Sequence, residues 1–264
     1  MIVVAENLTV TSPGVARALE ERDPEPIRRV ARGAAGASYL DVNLGRGAGP
    51  GDLSFVLDVL EECWAGGILI DTARTEPMEQ AARTWRGELV LNGFSGDAGR
   101  EGVLEVAERH GLPVVVFLMA GGVPREADER LALAAELVGR CRERGIGPER
   151  VWIDPVVVPL GWQEGQAYNA ALLEVLRRLP EVFGEPVSTL VGLSNLTSGA
   201  AGPRKVPWLQ EVFLAAAAGA GLTHAMIDVT RPALVRTVRA LEVLENRRLY
   251  APEEFRDGAG KGEA

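Results

Sequence analysis

The sequence predicts a parallel (β/α)8 TIM barrel, on three observations. Short apolar runs alternate with amphipathic helical patterns, the alternation repeats eight times, and 264 residues suit a fold that takes about 250. The strand candidates are Ile2–Ala5, Tyr39–Asn43, Gly67–Ile70, Glu88–Leu91, Val114–Leu118, Val151–Ile153, Ser188–Leu193 and His224–Ile227. Helix-period segments lie between or after them at Asp23–Ala34, Leu53–Trp64, Pro77–Trp85, Gly99–His110, Glu126–Arg144, Gln166–Leu179, Trp208–Ala220 and Pro232–Asn246. Nearly continuous apolar strands separated by helices mean a parallel sheet covered on both faces. Eight units favour closure over an open sheet. The alternative, an open doubly wound sheet, would normally carry G-x-G-x-x-G after its first strand, where this chain has Glu6-Asn7-Leu8-Thr9.

Punctuation between units fits. Gly111-Leu112-Pro113 and Gly145-Ile146-Gly147-Pro148 each stop a helix before a strand, Gly by accepting the left-handed conformation and Pro by refusing the helix. One barrel is expected over residues 1–255, with a polar, Gly-rich tail at 256–264 that reads as a frayed end. The tail's G-x-G-K-G is no P-loop, since no strand precedes it and no helix follows. The stretch Gly45–Gly51 reads as a surface loop, with a lid as the functional alternative.

Composition narrows the class. With 47% hydrophobic residues the chain can bury a large core. A net charge of −9 without a Lys/Arg cluster argues against a nucleic-acid partner. Cys63 and Cys141 read as reduced thiols of a cytoplasmic protein. Two cysteines and two histidines, His110 and His224, make no dedicated metal site unless carboxylates complete it, and none is expected. The opening residues MIVVAEN have no charged segment or cleavage site, so no signal peptide is expected. No apolar run approaches the ~18 residues of a membrane span.

A barrel of this kind carries its active site at the C-terminal ends of the strands. There the chain places Glu6-Asn7, Asp41 and Asn43, Asp71, Asn92, Asp154, Ser194-Asn195 and Asp228, with almost no Lys, Arg, His or Cys. Singly, each Asp or Asn could be a helix N-cap. As a set they form a ring around one mouth. A phosphate would prefer Arg, Lys or a Gly-rich nest, and a divalent metal would accept several carboxylates. A flat heterocycle with donor and acceptor edges also fits: carboxylates accept from its amino group and ring N–H, while Asn amides do both.

Local phrases carry a resemblance. Tyr39-Leu-Asp-Val-Asn-Leu-Gly45, Ile70-Asp-Thr72, Val90-Leu-Asn-Gly93, Gly122-Val-Pro-Arg-Glu-Ala-Asp-Glu-Arg130, Trp152-Ile-Asp-Pro155 and Val191-Gly-Leu-Ser-Asn195 follow in order at barrel spacing. Together they resemble the pterin-binding methyltransferases: the methyltetrahydrofolate–corrinoid protein methyltransferases and the folate module of cobalamin-dependent methionine synthase. The resemblance runs from about Val3 to Tyr250 and implies a dihydropteroate-synthase-like barrel. It implies that Asp71, Asn92 and Asp154 hydrogen-bond the pterin ring, and that Asn195 reaches N5 of the folate and assists methyl transfer. Asp41 and Asn43 match the family's second-strand phrase, and Glu6 and Asp228 complete the expected folate-binding set. The implied substrate is tetrahydrofolate or its 5-methyl form. The implied partner is a separate corrinoid (iron-sulfur) protein whose cobalamin cobalt is the nucleophile, docked on a homodimer of barrels in one-carbon metabolism.

The chain departs from the family after Asn195, where Leu-Thr-Ser-Gly-Ala-Ala-Gly-Pro-Arg-Lys is poor in Asn, and at Gly93, where Ser is usual. It lacks Asp-x-His-x-x-Gly and so carries no corrinoid signature of its own. Dihydropteroate synthase is the nearest rival and resembles the chain at Asn7-Leu-Thr. That family shows Lys plus an Arg-bearing cluster on its last strands, whereas Thr223-His-Ala-Met-Ile-Asp228 has no Arg. A non-catalytic pterin-binding barrel is a second rival. A metal-dependent hydrolase or aldolase is a third, and would usually want His or Lys at the strand ends.

Overall fold

In a computed structural model, residues 1–45, 47–199 and 206–255 are described. The strands are β1 (Ile2–Thr9), β2 (Tyr39–Asn43), β3 (Gly67–Asp71), β4 (Leu89–Phe94), β5 (Val114–Phe117), β6 (Val151–Asp154), β7 (Ser188–Gly192) and β8 (His224–Ile227). All pairings are parallel, and the strands close in sequence order into a barrel, with Ile2 facing His224 across the seam. The helices are α1 (Pro13–Glu21), α2 (Glu25–Gly33), α3 (Pro50–Cys63), α4 (Thr75–Thr84), α5 (Glu101–His110), α6 (Ala127–Glu143), α7 (Gly165–Phe183), α8 (Trp208–Gly219) and α9 (Pro232–Leu244). The barrel is therefore closed as expected. The expected frayed tail at 256–264 lies outside the described residues, as does most of the altered stretch after Asn195.

Four departures have physical reasons. One helix was expected between the first two strands, and there are two: Arg22 turns left-handed (φ 54°) and Pro24 follows, splitting α1 from α2. The separate α1 is only nine residues long, and its apolar face is confined to Val15, Ala18 and the half-buried Leu19, too short a run to stand out as a helix of its own. β1 continues past Ala5 to Thr9 through a register shift between Ala5 and Leu8, because buried Leu8 resumes pairing with Val42. α3 starts at Pro50 and not Leu53: Pro occupies the first turn, and Asp52 accepts from the Gly49 N–H at 2.8 Å. The Gly45–Gly51 stretch is thus partly helix. α7 runs through Pro180 to Phe183. Proline removes the N–H that the Leu176 carbonyl would have met, and that carbonyl faces Gly221, where an added Cβ would lie 3.4 Å away.

The inward faces of the strands form one apolar layer. Val4, Leu69, Val90, Val115, Trp152 and Leu190 pack together, with Tyr39, Phe117 and Met226 against them. Trp152 is its largest member. Its ring meets Tyr39 edge-on at 5.2 Å and His224 at 4.1 Å. Burial pushes the His224 imidazole down to about 4, so the ring is neutral and packs as a core residue. The outward faces and the helices enclose the remaining core in two clusters. No helix among the described residues is long and apolar enough to cross a membrane.

Trp152→Ala would empty the centre of this plug. It is expected to lower unfolding stability by about 3–5 kcal/mol, read from the denaturant midpoint; a loss below about 1 kcal/mol would mean that the layer closes without it.

Candidate active site

Strand geometry places the polar residues. Side chains alternate across a strand, so the residue two beyond each plug position points into the barrel one layer higher. Val4 is thus followed by Glu6, Tyr39 by Asp41 and Asn43, Leu69 by Asp71, Val90 by Asn92, Trp152 by Asp154 and Met226 by Asp228. All six lines of descent end in a cavity of about 870 Å3 at the C-terminal mouth. Glu6, Asp41, Asn43, Asp71, Asn92, Asp154, Asn195 and Asp228 all line it, above a floor that includes Phe117, Leu190 and Met226. The helix-cap alternative does not hold. The residues at the N-caps of the nine described helices are Ser12, Pro24, Gly49, Arg74, Arg100, Glu126, Glu164, Pro207 and Arg231, none of them from the ring.

The ring side chains differ in what engages them. Asn43 donates to Asp71 Oδ2 at 2.7 Å and accepts from Gly45 N–H. Asp228 Oδ1 accepts from Asn7 and from the Thr230 N–H and hydroxyl, while Asn7 also accepts from Val229 N–H. That knot ties the end of β1 to the end of β8. Asp154 Oδ1 accepts from Val156 N–H at 2.7 Å. Asp41 Oδ1 and Asn92 Oδ1 are buried and have no partner among the described residues. Asn195 stands exposed on the 3₁₀ turn Leu193–Thr197, its amide free among those residues. The turn is held from below, by Gln210 donating to Thr197 at 2.7 Å and by Leu160 N–H donating to the Leu196 carbonyl at 3.0 Å.

The chain is similar to known proteins over most of its length. The family model for pterin binding enzymes matches residues 22–228. The chain belongs to that family. A relative, the methylcorrinoid:tetrahydrofolate methyltransferase of Eubacterium limosum, is 25% identical over 253 residues, covering 92% of this chain and 91% of that protein. The dihydropteroate synthase of Escherichia coli K12 is 29% identical over 184 residues, 61% of each chain. Among solved structures, Yersinia pestis dihydropteroate synthase in a sulfonamide complex superposes with TM-score 0.71 at 20% identity, covering 94% of this chain and 95% of that one. The Xanthomonas albilineans enzyme with 7,8-dihydropteroate gives 0.66 at 21%, covering 92% and 94%. These two share the fold.

In this pterin-binding enzyme the mouth is electrostatically unsettled. Burial pushes Asp154 up to about 7, against the Val156 N–H and the Arg130 charge. Burial likewise takes Glu6 to about 7, with Ser194 hydrogen bonding opposing and Asp228 adding to it. Asp71 rises to about 6 by burial, against Arg100 and the Asn43 bond. Asp41 lies well above the carboxylate range, from burial first and then its neighbours Asp71 and Glu6. Asp228 alone is held low: burial is outweighed by its bonds from Thr230 and Asn7 and by Arg231. No group of three or more His, Cys, Asp or Glu is placed to hold a metal among the described residues.

Arg130 belongs to this site and carried no sequence signal beyond its place in a helix-opening run. It is fully buried. Its guanidinium donates to the carbonyls of Pro124, Pro155 and Tyr168 at 2.6–3.0 Å, cross-linking the segments after β5 and β6 to α7 beside Asp154. Ser194, expected at the mouth beside Asn195, lines the cavity, and so do the hydroxyls of Thr9, Thr11 and Ser12, which the strand-end reading did not pick out.

Raised carboxylates set a sign for stability. Between the unfolded carboxylate range near pH ~4 and about 7, the folded chain binds more protons than the unfolded one, so these groups destabilise it as pH rises. The Asp154→Asn variant keeps the acceptor for Val156 and removes one such group. Denaturant midpoints at pH 5.5 and 8.0 should differ less in Asp154→Asn than in the parent; an equal difference would remove Asp154 from the account.

Proposed function

We propose that this barrel moves a methyl group between N5 of (methyl)tetrahydrofolate and the cobalt of a separate corrinoid protein. The observation that carries the pterin half is the pair of buried, partnerless acceptors, Asp41 Oδ1 and Asn92 Oδ1, beside Asp154 and Asp71 in one cavity. Buried polar atoms demand partners, and the N–H groups of a ligand would supply them. The 2-amino-4-oxo-pyrimidine edge of a pterin supplies an amino group and a ring N–H to carboxylates, and Asn92 can serve its acceptors. The cavity of about 870 Å3 falls within the ~300–1,000 Å3 typical of sites for drug-sized ligands. The methyl-transfer half is supported by the full-length match to the Eubacterium limosum methyltransferase.

The residues then divide the work. Asp154, Asp71 and Asn92 orient the ring, Arg130 holds the segment beside Asp154, and the barrel walls exclude water from the floor. Methyl leaves a tertiary amine poorly unless the nitrogen gains a proton or a strong hydrogen bond as the bond breaks. Asn195, free and uncharged at the rim, donates to N5. The corrinoid of the partner supplies the nucleophile, so this chain needs none. Dihydropteroate synthesis fits less well: it handles pyrophosphate, and the described lining offers five carboxylates and a single Arg.

Calorimetric titration with methyltetrahydrofolate tests the pterin half. Micromolar binding that Asp154→Ala abolishes supports it; no binding by the intact protein sinks it. Because the ring N–H groups need the Asp154 carboxylate, affinity should strengthen up to about tenfold per pH unit as pH rises towards about 7, then level off. Asn195→Ala is expected to slow transfer by about 10- to 1000-fold in an assay with a corrinoid protein. An unchanged rate removes Asn195 from the chemistry, and tight binding without any transfer would make the chain a pterin-binding protein alone.

A further inference from the structure

The cavity extends beyond the ring of strand ends. Its outer wall is made by Thr9 at the end of β1, by Thr11 and Ser12 just after it, and by Arg29, Val30 and Gly33 of α2. Arg29 and Gly33 stand one helical turn apart and share a face, and Gly33 leaves open space where a side chain would project. Arg29 is the one cation lining the cavity among the described residues. Its neighbours on α2 are neutralised, Arg28 by Glu62 at 2.8 Å and Arg32 by Glu25. Arg29 itself has no hydrogen bond, ion pair or ring contact among the described residues. Ser12, on the same wall, stands at the N-cap of α1 but its hydroxyl makes no cap bond.

The cavity is therefore polarised. An anion is repelled from the mouth by Glu6, Asp71 and Asp228, and is met at the wall by a guanidinium and hydroxyl donors. A guanidinium left without a carboxylate in a ligand cavity matches a carboxylate on the ligand, which it can take in bidentate fashion. The ligand this polarity selects has a donor-rich ring at one end and an acid at the other. Tetrahydrofolate has that form, with its glutamate carboxylates at the end remote from the pterin. We propose that Arg29 forms a second subsite that binds the glutamate carboxylate of the folate tail, an assignment that rests on the pterin reading of the cavity floor. It makes Arg29 a determinant of specificity for conjugated folates over the bare pterin, with no part in the methyl transfer itself.

Calorimetric titrations of the intact protein and of Arg29→Gln, each with tetrahydrofolate and with tetrahydropteroyl amide, test this, since the second ligand keeps the ring and the aminobenzoyl group but ends in a neutral carboxamide in place of the glutamate. The intact protein should bind tetrahydrofolate about three- to tenfold more tightly, and the preference should shrink with added salt. Arg29→Gln should erase the preference and leave tetrahydropteroyl amide affinity and the unfolding midpoint unchanged. Equal binding of the two ligands by the intact protein, or a preference that Arg29→Gln retains, overturns the subsite and leaves the pterin floor standing. Failure of the intact protein to bind either ligand overturns both.

Discussion

The arrangement depends on the two-residue repeat of a strand locked into a closed barrel. Closure leaves each strand with one face that can only point inward, and parallel pairing sends the C-terminal ends of all eight strands to the same mouth. A polar residue two positions beyond a plug residue then has one destination. Trp152 and Asp154 illustrate it: the first fills the barrel, and the second stands above it. Slipping a strand by one residue would exchange the inward and outward faces, putting carboxylates among the helices. The apolar plug and the polar mouth are thus one pattern read at two heights.

That pattern places carboxylates where proteins usually avoid them. Removing a charge from water costs free energy unless a partner repays it, and here Asp41 and Asp154 lie deep with little cationic compensation. The one buried guanidinium nearby, on Arg130, spends its donors on three carbonyls. It fixes the loops but does not neutralise the mouth. The site is kept short of donors, and a ligand rich in N–H groups removes the deficit. Such a site trades folding stability for recognition.

Much of this could be read from the chain. Asp71, Asn92 and Asp154 directly follow unmistakable apolar strands, and barrel chemistry concentrates at strand ends, so their convergence needed only the fold. What could not be read depends on contacts that have no local period. α1 is a single short run of nine residues; Arg130 looks like any helix arginine until its three carbonyl partners come from elsewhere in the chain. Arg29 is one of three arginines on α2, and only packing decides which two meet a carboxylate. Pro180 lies just beyond the expected helix end at Leu179, yet α7 runs through it to Phe183.

The knot of Asn7 and Asp228 sits at the mouth and at the seam at once, joining residues 221 apart in the chain. At the other end of the same seam, Ile2 N–H donates to the Thr223 carbonyl. While the chain is being synthesised, β1 must wait with one edge bare until β8 emerges, an invitation to pair with another molecule. The interval ends when the first and last strands clasp, and that event also completes the rim of the cavity. A ribosome-bound chain lacking β8 would thus have no finished mouth with which to capture a ligand, so ligand capture reports that the circle has closed.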